Sequence, residues 1–494
     1  MLTSVDVRAS LSVLGEIMQW LVVPLCVPVG AALLYGASPR PYLVTIGVAL
    51  VVGTGLAQFE RDRINDREAF LIVALAWLAI AALGGLPLYI EGSGVFASPV
   101  NALFEGMSGI TTTGATVIRD FDVHSRPLLL WRQVLQWLGG LGVLLLATAV
   151  LSRLSVAGAQ LMETETQTKD VTKLTPGIED TAKLLLVLYL GLTVGAAAVL
   201  YALHLVGLAP AMTGFDAVAH ALTAIATAGF SPRADSVGAF SPAVQWAITA
   251  FMVVGATNFV LLYALVRGDT DRLRDSEEFR FYLAVLAVGT VLVGGLLVAS
   301  EQTDAPLRHA AFQVTSIVTT TGFASVDFNA WSPATKNILF VAMFVGGMAG
   351  STTCSIKTLR WLIVGKSFLR DLAVSAHPRS VRAVRLGPEV VDEDTIRDVY
   401  AYTLVALVIF ILGTVLLVAN SERAGTQLTE FEALSAAAST FFNVGPAFGQ
   451  AGPYGTYAGF ARSNKLLMVA MMWVGRVEII PVLVLLTPTF WRRQ

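Results

Sequence analysis

Long apolar stretches alternate with short polar connections over nearly the whole chain. A helix that crosses the hydrocarbon core of a bilayer needs about 20 predominantly apolar residues. Ten stretches reach that length, at residues 12–35, 41–58, 68–90, 127–151, 181–206, 242–266, 280–299, 333–364, 397–419 and 463–487. The pattern therefore predicts an all-α polytopic membrane protein. The first two spans stand alone, and the other eight form four pairs.

A shorter apolar segment lies between the members of each pair. These segments cover residues 98–110, 213–225, 305–318 and 429–441. Apolar runs of about 10–14 residues are typical of helices that enter a membrane without crossing it. Capping boxes begin at Thr213 and Thr429, and Asp304 can cap the third segment. We expect four short re-entrant helices.

Each short segment ends at a loop that contains a glycine. The four loops read T-T-T-G-A-T at 111–116, A-T-A-G-F-S at 226–231, T-T-T-G-F-A at 319–324 and F-N-V-G-P-A at 442–447. An alanine stands twelve positions before each glycine, and a serine or threonine stands six positions before it. The alanines are Ala102, Ala217, Ala310 and Ala433, and the hydroxyl residues are Ser108, Thr223, Ser316 and Ser439. Ordinary helix packing does not require this order four times, so the chain contains a true repeat.

The glycine loops are candidate ion ligands. Four such loops around one axis can surround a dehydrated cation with backbone carbonyls, and glycine allows the dihedral angles that turn those carbonyls inward. No Asp or Glu stands beside any of the glycines, which favours a monovalent cation over a divalent one. The predicted filter residues are Thr112, Thr113, Gly114, Thr227, Ala228, Gly229, Thr320, Thr321, Gly322, Asn443, Val444 and Gly445.

The stretch at 333–364 is too long for one straight span, and its middle is rich in glycine and hydroxyl residues, which are poor helix formers. We expect an unwound segment under the filter that acts as a gate, with a kinked packing helix as the alternative. The predicted gating residues are Gly346, Gly347, Gly350, Ser351, Thr352 and Lys357. Arg476 lies inside the last apolar stretch, where a charge is costly, and we assign it to the same gate.

Composition narrows the possible functions. Of 494 residues, 55% are hydrophobic and 14% are charged, whereas soluble domains carry about 25% charged residues. Two cysteines, Cys26 and Cys354, are too few for a disulfide framework or a cysteine metal cluster. The histidines are scattered and the spans show no nucleophile–base pair, so we predict that the protein is not an enzyme. A proton- or sodium-coupled cation symporter stays open, with Glu16 as the nearest candidate relay residue.

Lysine and arginine residues are concentrated on one side of the predicted membrane. That side includes the basic segment from Lys366 to Arg397, whereas the other side has fewer basic residues, among them Arg119 and Arg132. Because cytoplasmic loops are enriched in Lys and Arg, the first side is predicted to be cytoplasmic. The glycine loops then open to the outside, and both termini are cytoplasmic. We expect a multi-pass protein of the plasma (inner) membrane.

The repeat pattern divides the chain into five parts. They are an N-terminal two-helix domain at 1–66 and repeats 1 to 4 at 67–153, 154–268, 269–366 and 367–494. Each repeat contains two long helices with a short helix and a glycine loop between them. Four helix–pore-loop–helix repeats of this kind can surround one central pore.

These residues resemble the Trk/Ktr/HKT superfamily of potassium transporters over nearly the whole chain. The similar motifs are the loops at 111–116, 227–231, 320–323 and 443–446, the stretch 346–357, and G-R-V-E at 475–478. The extra N-terminal helix pair is similar to the TrkH-like branch. The resemblance implies an intramembrane gating loop at 346–357 and a pore-facing Arg476. In the plant branch a serine in the first loop accompanies sodium transport, whereas all four positions are glycine here.

The resemblance also implies a function and partners. It implies uptake of K⁺, which would be held only by the filter carbonyls, by a homodimer in the lipid bilayer. A cytosolic TrkA-type nucleotide-binding ring would regulate it, and the basic segment from Lys366 to Arg397 is a candidate docking surface. No cofactor is expected on this chain, because the nucleotide would bind only the partner subunit. We expect no nucleic-acid partner.

Overall fold

Two antiparallel helical stretches precede the repeats in the computed structural model, which describes residues 5–60, 64–146 and 178–491. Val7–Trp20 continues into Val22–Leu34, and Arg40–Ala57 packs against them. A Cβ on Gly15 would lie 2.5 Å from the carbonyl oxygen of Gly53. Small residues at such a crossing let two membrane helices approach closely.

Four repeats follow, each with an outer helix, a short helix and an inner helix in that order. The outer helices are Asp66–Glu91, Ile178–Leu205, Glu277–Ser300 and Glu393–Arg423. The short helices are Pro99–Ile110, Gly214–Ile225, Pro306–Val318 and Glu430–Phe441. The inner helices are Arg126–Leu146, Pro242–Gly255 with Phe259–Val266, Pro333–Ala342 with Thr358–Ala376, and Arg462–Arg476 with Ile480–Leu485. The predicted all-α architecture is confirmed.

Smaller elements lie in the connections between these helices. Short helices are found at Asp271–Asp275 and Pro488–Trp491, and single 3-10 turns at Gly94–Ala97, Ser236–Ala239, Phe328–Ala330, Gly449–Ala451 and Tyr457–Gly459. An antiparallel hairpin of Arg385–Leu386 and Glu389–Val390 lies within the basic segment before the fourth outer helix.

The predicted capping boxes of the second and fourth short helices are confirmed. Thr213 accepts a hydrogen bond from the backbone N–H of Asp216, and the Asp216 carboxylate accepts one from the N–H of Thr213. Thr429 and Glu432 form the same pair of bonds. The prediction for the third short helix is wrong, because Ala305 occupies the capping position, one residue after Asp304, and its side chain forms no cap.

The short helices lie in the core of the molecule. Their recurrent alanines, Ala102, Ala217, Ala310 and Ala433, are all at most 2% exposed. In repeat 1, a Cβ on Gly85 of the outer helix would lie 2.5 Å from the carbonyl oxygen of Ala102. In repeat 1 the outer helix therefore passes directly against the backbone of the short helix at Ala102.

Two of the predicted spans, at 242–266 and 463–487, are interrupted where no break was predicted, whereas the break inside 333–364 is the predicted unwound segment. Among the described residues, seven helices are long and apolar enough to cross a membrane, and there are eight if Pro242–Gly255 and Phe259–Val266, which meet at a bend of 107°, are counted as one span. The inner helices of repeats 3 and 4 are interrupted at 343–357 and 477–479.

The interruptions of repeats 2 and 3 stabilise each other. The backbone N–H of Phe259 donates to the carbonyl of Gly350 at 3.1 Å, and the N–H of Met348 donates to the carbonyl of Ala256 at 3.0 Å. Non-helical backbone is tolerated at membrane depth when protein groups satisfy its hydrogen bonds. Each broken helix supplies the partners that the other one needs.

Part of the predicted topology lies outside the described residues. The boundary between repeats 1 and 2 at residues 153–154 lies there, as does the end of the span predicted at 127–151. The residues at the two ends of the chain, 1–4 and 492–494, lie there as well.

Candidate cation-binding site

The four loop glycines approach one another around a closed ring. We call Gly114, Gly229, Gly322 and Gly445 the glycine ring. A Cβ on Gly114 would lie 2.5 Å from the carbonyl oxygen of Ala228, and a Cβ on Gly445 would lie 2.6 Å from that of Thr113. Gly229 and Gly322 approach the carbonyl oxygens of Thr321 and Val444 in the same way. In each case the oxygen belongs to the residue that precedes the ring glycine of the following repeat, and repeat 4 is followed by repeat 1. The loops are therefore arranged around the ring in the order of the repeats.

The same backbone conformation recurs in all four loops. The ring glycines have φ angles of 82°, 81°, 81° and 105°. The residue two positions earlier also has a positive φ, of 54° at Thr112, 48° at Thr227, 51° at Thr320 and 55° at Asn443. Such angles are uncommon outside glycine and persist only where the surrounding structure holds them. Four equivalent occurrences indicate a shared requirement on the direction of the loop carbonyls.

A backbone hydrogen bond ties each loop to its own short helix. The donor is the N–H before the glycine, and the acceptor is the carbonyl of the recurrent serine or threonine. The pairs are Thr113 with Ser108, Ala228 with Thr223, Thr321 with Ser316, and Val444 with Ser439, all at 2.8–2.9 Å. The hydroxyls of Ser316 and Ser439 also donate to the carbonyls of Phe323 and Gly445 at 2.6 Å. The hydroxyl therefore ties the short helix to the loop in repeats 3 and 4, whereas the hydroxyl of Thr223 donates to the carbonyl of Ala219 in its own helix and that of Ser108 has no hydrogen-bond partner among the described residues.

The short helices direct negative partial charge toward the ring. They end at Ile110, Ile225, Val318 and Phe441, each four positions before its glycine. A helix C-terminus carries about half a unit of negative charge. The ring is therefore electronegative although its loops contain no acidic residue beside the glycine.

A cavity of about 150 Å³ opens onto all four ring glycines. Arg132 and Arg233 line it, and both are paired, with Glu105 and Asp216 respectively, at 2.6 Å. Arg132, counted above with the basic residues of the predicted outer side, lies within the span predicted at 127–151. Its side chain is 1% exposed and lies in the inner helix of repeat 1, because its buried partner Glu105 on the first short helix compensates its charge.

Residues 343–357, which separate the two halves of the third inner helix, contact two of the ring loops. We call this segment the inner loop. The hydroxyl of Thr352 lies 2.9 Å from that of Thr227, and the backbone N–H of Cys354 donates to the hydroxyl of Thr320 at 3.0 Å. The inner loop thus contacts loops 2 and 3 at the residues two positions before the ring glycines.

The equivalent residues of loops 1 and 4 keep unpaired oxygens. The Thr112 hydroxyl and the Asn443 side-chain carbonyl are buried and have no hydrogen-bond partner among the described residues. The Asn443 oxygen lies against the fourth inner helix, 2.8 Å from the position of a Cβ on Gly475. In the described part of the chain, no group of three His, Cys, Asp or Glu side chains could hold a metal ion.

All the glycine, serine, threonine and lysine residues predicted to gate lie in the inner loop. The N–H of Gly346 donates to the carbonyl of Ile356 at 2.8 Å, and the carbonyl of Gly347 accepts from the N–H of Thr358 at 3.0 Å. Ser351 donates to the carbonyl of Met348. These bonds close the base of the loop and hold its turns together.

Gly350 and Lys357 lie before and after the residues of the inner loop that contact the ring loops, and each is held by a close contact. Gly350 has a φ of 72°, and a Cβ there would lie 2.7 Å from the side-chain nitrogen of Asn258. Lys357 is 8% exposed and its ammonium group donates to the carbonyl of Thr353 at 2.5 Å. The positive charge of Lys357 therefore lies against the inner loop backbone.

Arg476 binds the inner loop from the last residue of its helix. Its guanidinium donates to the carbonyl of Thr352 at 3.1 Å, to the sulfur of Cys354 at 2.6 Å and to the carbonyl of Gly139 at 2.8 Å. The side chain is 4% exposed. Arg476 therefore joins the inner helices of repeats 1 and 4 to the inner loop, and it contacts the two loop residues that touch loops 2 and 3.

The hydrogen bonds of two acidic residues in this region, Glu278 and Glu478, were not predicted from the sequence. Glu278, which is 1% exposed, accepts hydrogen bonds from the N–H of Ala349 at 2.8 Å, the hydroxyl of Thr358 at 2.8 Å and the N–H of Leu359 at 3.1 Å. Arg360 donates to Glu478 at 2.8 Å. In the sequence, Glu278 reads as an ordinary acidic residue at a helix start, and Glu478 has no evident partner within its own helix.

Comparisons with known proteins agree over nearly the full length. The family described as "TrkH: Cation transport protein" matches residues 43–492. The chain is 36% identical to the Trk system potassium uptake protein TrkH of Halomonas elongata, over 99% of this chain and 100% of that one. It is 34% identical to the protein of the same name from Escherichia coli K12, over 94% and 95% of the two chains.

A solved structure shows the same fold. The crystal structure of the potassium transporter TrkH from Vibrio parahaemolyticus superposes with a TM-score of 0.87 at 31% sequence identity. The match covers 98% of this chain and 99% of that one. The superposed region therefore includes the N-terminal helices and all four repeats.

Proposed function

The chain belongs to the TrkH family of cation transport proteins, and we propose that it is the K⁺-conducting membrane subunit of a potassium uptake system. It is a transporter and not an enzyme. The observation that carries this proposal is the closed glycine ring, in which four loops share one backbone conformation. The relatives named above are potassium uptake proteins, which supports K⁺ as the transported ion.

In this proposal the ring is a selectivity filter. Moving a bare ion into a low-dielectric interior costs tens of kcal/mol by Born estimates, so the loops must replace the hydration shell with oxygens. Carbonyls around the ring glycines supply those oxygens, and the four helix C-termini add negative potential without a fixed acid. A neutral site of this kind suits a weakly hydrated monovalent cation. Ions enter from the cavity that opens onto the ring.

The inner loop is the proposed gate. It contacts the filter loops at Thr227 and Thr320, so an ion that leaves the ring on this side meets the loop. Arg476 holds the loop through the carbonyl of Thr352 and places a positive charge beside it. Conduction then requires the loop to move away. Gly346, Gly347 and Gly350 provide the backbone freedom for that movement.

We further propose the assembly and orientation that the resemblance implies. The repeats divide at 67–153, 154–268, 269–366 and 367–494, both termini face the cytoplasm, and the protein is a homodimer of the plasma membrane. A TrkA-type nucleotide-binding ring docks on the basic segment between Lys366 and Arg397. Arg379 and Arg382 of that segment are exposed, as is Val381 between them, which suits a docking surface.

Flux measurements in proteoliposomes test the function. The purified protein should carry K⁺ faster than Na⁺, and a proton gradient should not be needed to drive K⁺ down its own gradient. K⁺ movement that depends strictly on a proton or sodium gradient would favour the coupled symporter. Glu16, the nearest candidate relay residue for that alternative, is exposed on the first helix, outside the glycine ring.

A further inference from the structure

The four loops of the glycine ring are stabilised in three different ways. In loops 1 and 3, threonines stand one and three positions before the glycine, and their hydroxyls are hydrogen-bonded to each other. The Thr111 and Thr113 hydroxyls are 2.7 Å apart, as are those of Thr319 and Thr321. This short bond fixes the peptide that carries the ring carbonyl.

Loops 2 and 4 lack both hydroxyls. The equivalent residues are Ala226 and Ala228 in loop 2, and Phe442 and Val444 in loop 4. Loop 4 is connected to loop 1 instead, because the Asn443 amide donates to the Thr113 hydroxyl at 2.8 Å. Loop 2 must obtain its support from outside the ring.

Gln136 of the first inner helix supplies that support. Its amide nitrogen donates to the carbonyl of Ala228 at 2.5 Å, and its amide oxygen accepts from the N–H of Phe230 at 2.9 Å. The two bonds lie on either side of Gly229. The side chain is fully buried, and its nitrogen would lie 3.7 Å from a Cβ on Gly114. Gln136 therefore sits where loops 1 and 2 meet.

We propose that Gln136 is a positioning residue that sets the preference for K⁺ over Na⁺ by holding the Ala228 carbonyl. This inference rests on the proposed function. Two effects of the amide act in the same direction. It prevents the carbonyl from moving inward toward a smaller ion, and it shares the oxygen's lone pairs, which weakens the field that the oxygen presents to the ion. Cavity size and field strength are the two quantities that govern selectivity in a carbonyl filter.

The same helix offers a matched control. Gln133 is also a fully buried glutamine, and neither its amide oxygen nor its amide nitrogen has a hydrogen-bond partner among the described residues. Replacement by methionine removes the amide from either residue and keeps the side-chain length. Gln136→Met should lower the K⁺/Na⁺ flux ratio about three- to tenfold, which is the size expected for the loss of one or two neutral hydrogen bonds. Gln133→Met should keep the wild-type ratio.

The readout is the ratio of K⁺ to Na⁺ flux in proteoliposomes, together with K⁺ flux per folded protein. A purely structural role would reduce both fluxes equally and leave the ratio unchanged, which would overturn the inference. Gln136→Asn, which keeps a polar amide but is one methylene too short for both bonds, should also lower the ratio. If Gln136→Met does not fold, the flux ratio of Gln136→Asn tests the inference in its place. A wild-type K⁺/Na⁺ ratio in Gln136→Asn would overturn the inference. A wild-type protein without K⁺ preference would refute the proposed function itself, independently of Gln136.

Discussion

Arg476 and Thr352 are hydrogen-bonded at 3.1 Å across 124 positions of sequence. The hydroxyl of the same Thr352 lies 2.9 Å from the hydroxyl of Thr227, two positions before a ring glycine. A single residue of the inner loop thus connects the last inner helix to the proposed filter. If the inner loop is the gate, its movement must break the hydrogen bonds of Thr352 both to Arg476 and to Thr227.

Replacement of Arg476 by alanine should increase K⁺ flux. The change removes a buried positive charge and the donors that hold the inner loop, and hydrogen bonds to charged groups contribute about 1.5–3 kcal/mol each. We expect roughly a tenfold rise in flux per correctly assembled protein, since about 1.4 kcal/mol corresponds to a factor of ten in the open population. Arg476→Lys keeps the charge but loses the planar fork of donors, so it should show a smaller rise. A fall in flux per assembled protein would remove Arg476 from the gate.

Deletion of Ala349 to Ser355 should open the pore. These residues form the part of the inner loop that contacts Thr227 and Thr320. The shortened protein should conduct K⁺ faster and keep its K⁺/Na⁺ ratio, because the glycine ring is left intact. Flux and ion competition in proteoliposomes measure both quantities. Unchanged flux in a correctly inserted protein would count against gating by this loop.

Serine at position 114 should lower the preference for K⁺. Gly114 has a φ of 82°, and a Cβ there would lie 2.5 Å from the Ala228 carbonyl oxygen. The new side chain must push that oxygen away or change the loop backbone. The matched control is Gly191→Ser, because a Cβ on Gly191 would meet no atom within 4 Å. Competition between K⁺ and Na⁺ should change in Gly114→Ser only, and wild-type selectivity in that variant would contradict the filter assignment.

Replacement of Glu278 by alanine should loosen the inner loop at its base. The carboxylate accepts bonds from Ala349, Thr358 and Leu359, and a buried donor that loses its partner costs about 1–3 kcal/mol. We expect a lower unfolding temperature and a higher K⁺ flux per folded protein. Glu277→Ala is the comparison, because that carboxylate is partly exposed and pairs with Lys366. Equal effects of the two changes would show that Glu278 has no special role in holding the loop.

The sequence predicts those parts of the site that depend on local chemistry. Glycine at four equivalent positions indicates a backbone requirement, and Gly114 and its three counterparts do adopt positive φ angles. The unwound stretch after residue 342 is also predictable, because glycine and hydroxyl residues destabilise a helix. Its role in gating stays a prediction.

The remaining features depend on contacts between distant segments. The break after Gly255 carries little local signal, and it is stabilised by the Phe259 bond to Gly350 in another repeat. Gln136 reaches a carbonyl 92 positions away, and Glu278 caps a backbone N–H 71 positions away. A periodicity argument treats both as isolated polar residues, because it contains no information about which segments become neighbours.

Direct localisation of the ion tests the central claim, that the glycine ring binds K⁺. Crystals of the protein grown with thallium(I), a K⁺ analogue that scatters anomalously, should show an anomalous peak at the centre of the ring. We predict that this peak lies within coordination distance of carbonyls from all four loops, including those of Thr113, Ala228, Thr321 and Val444, and that excess K⁺ removes it while the same concentration of Na⁺ does not. A ring without a peak, or a peak that Na⁺ displaces as well as K⁺ does, would contradict the account.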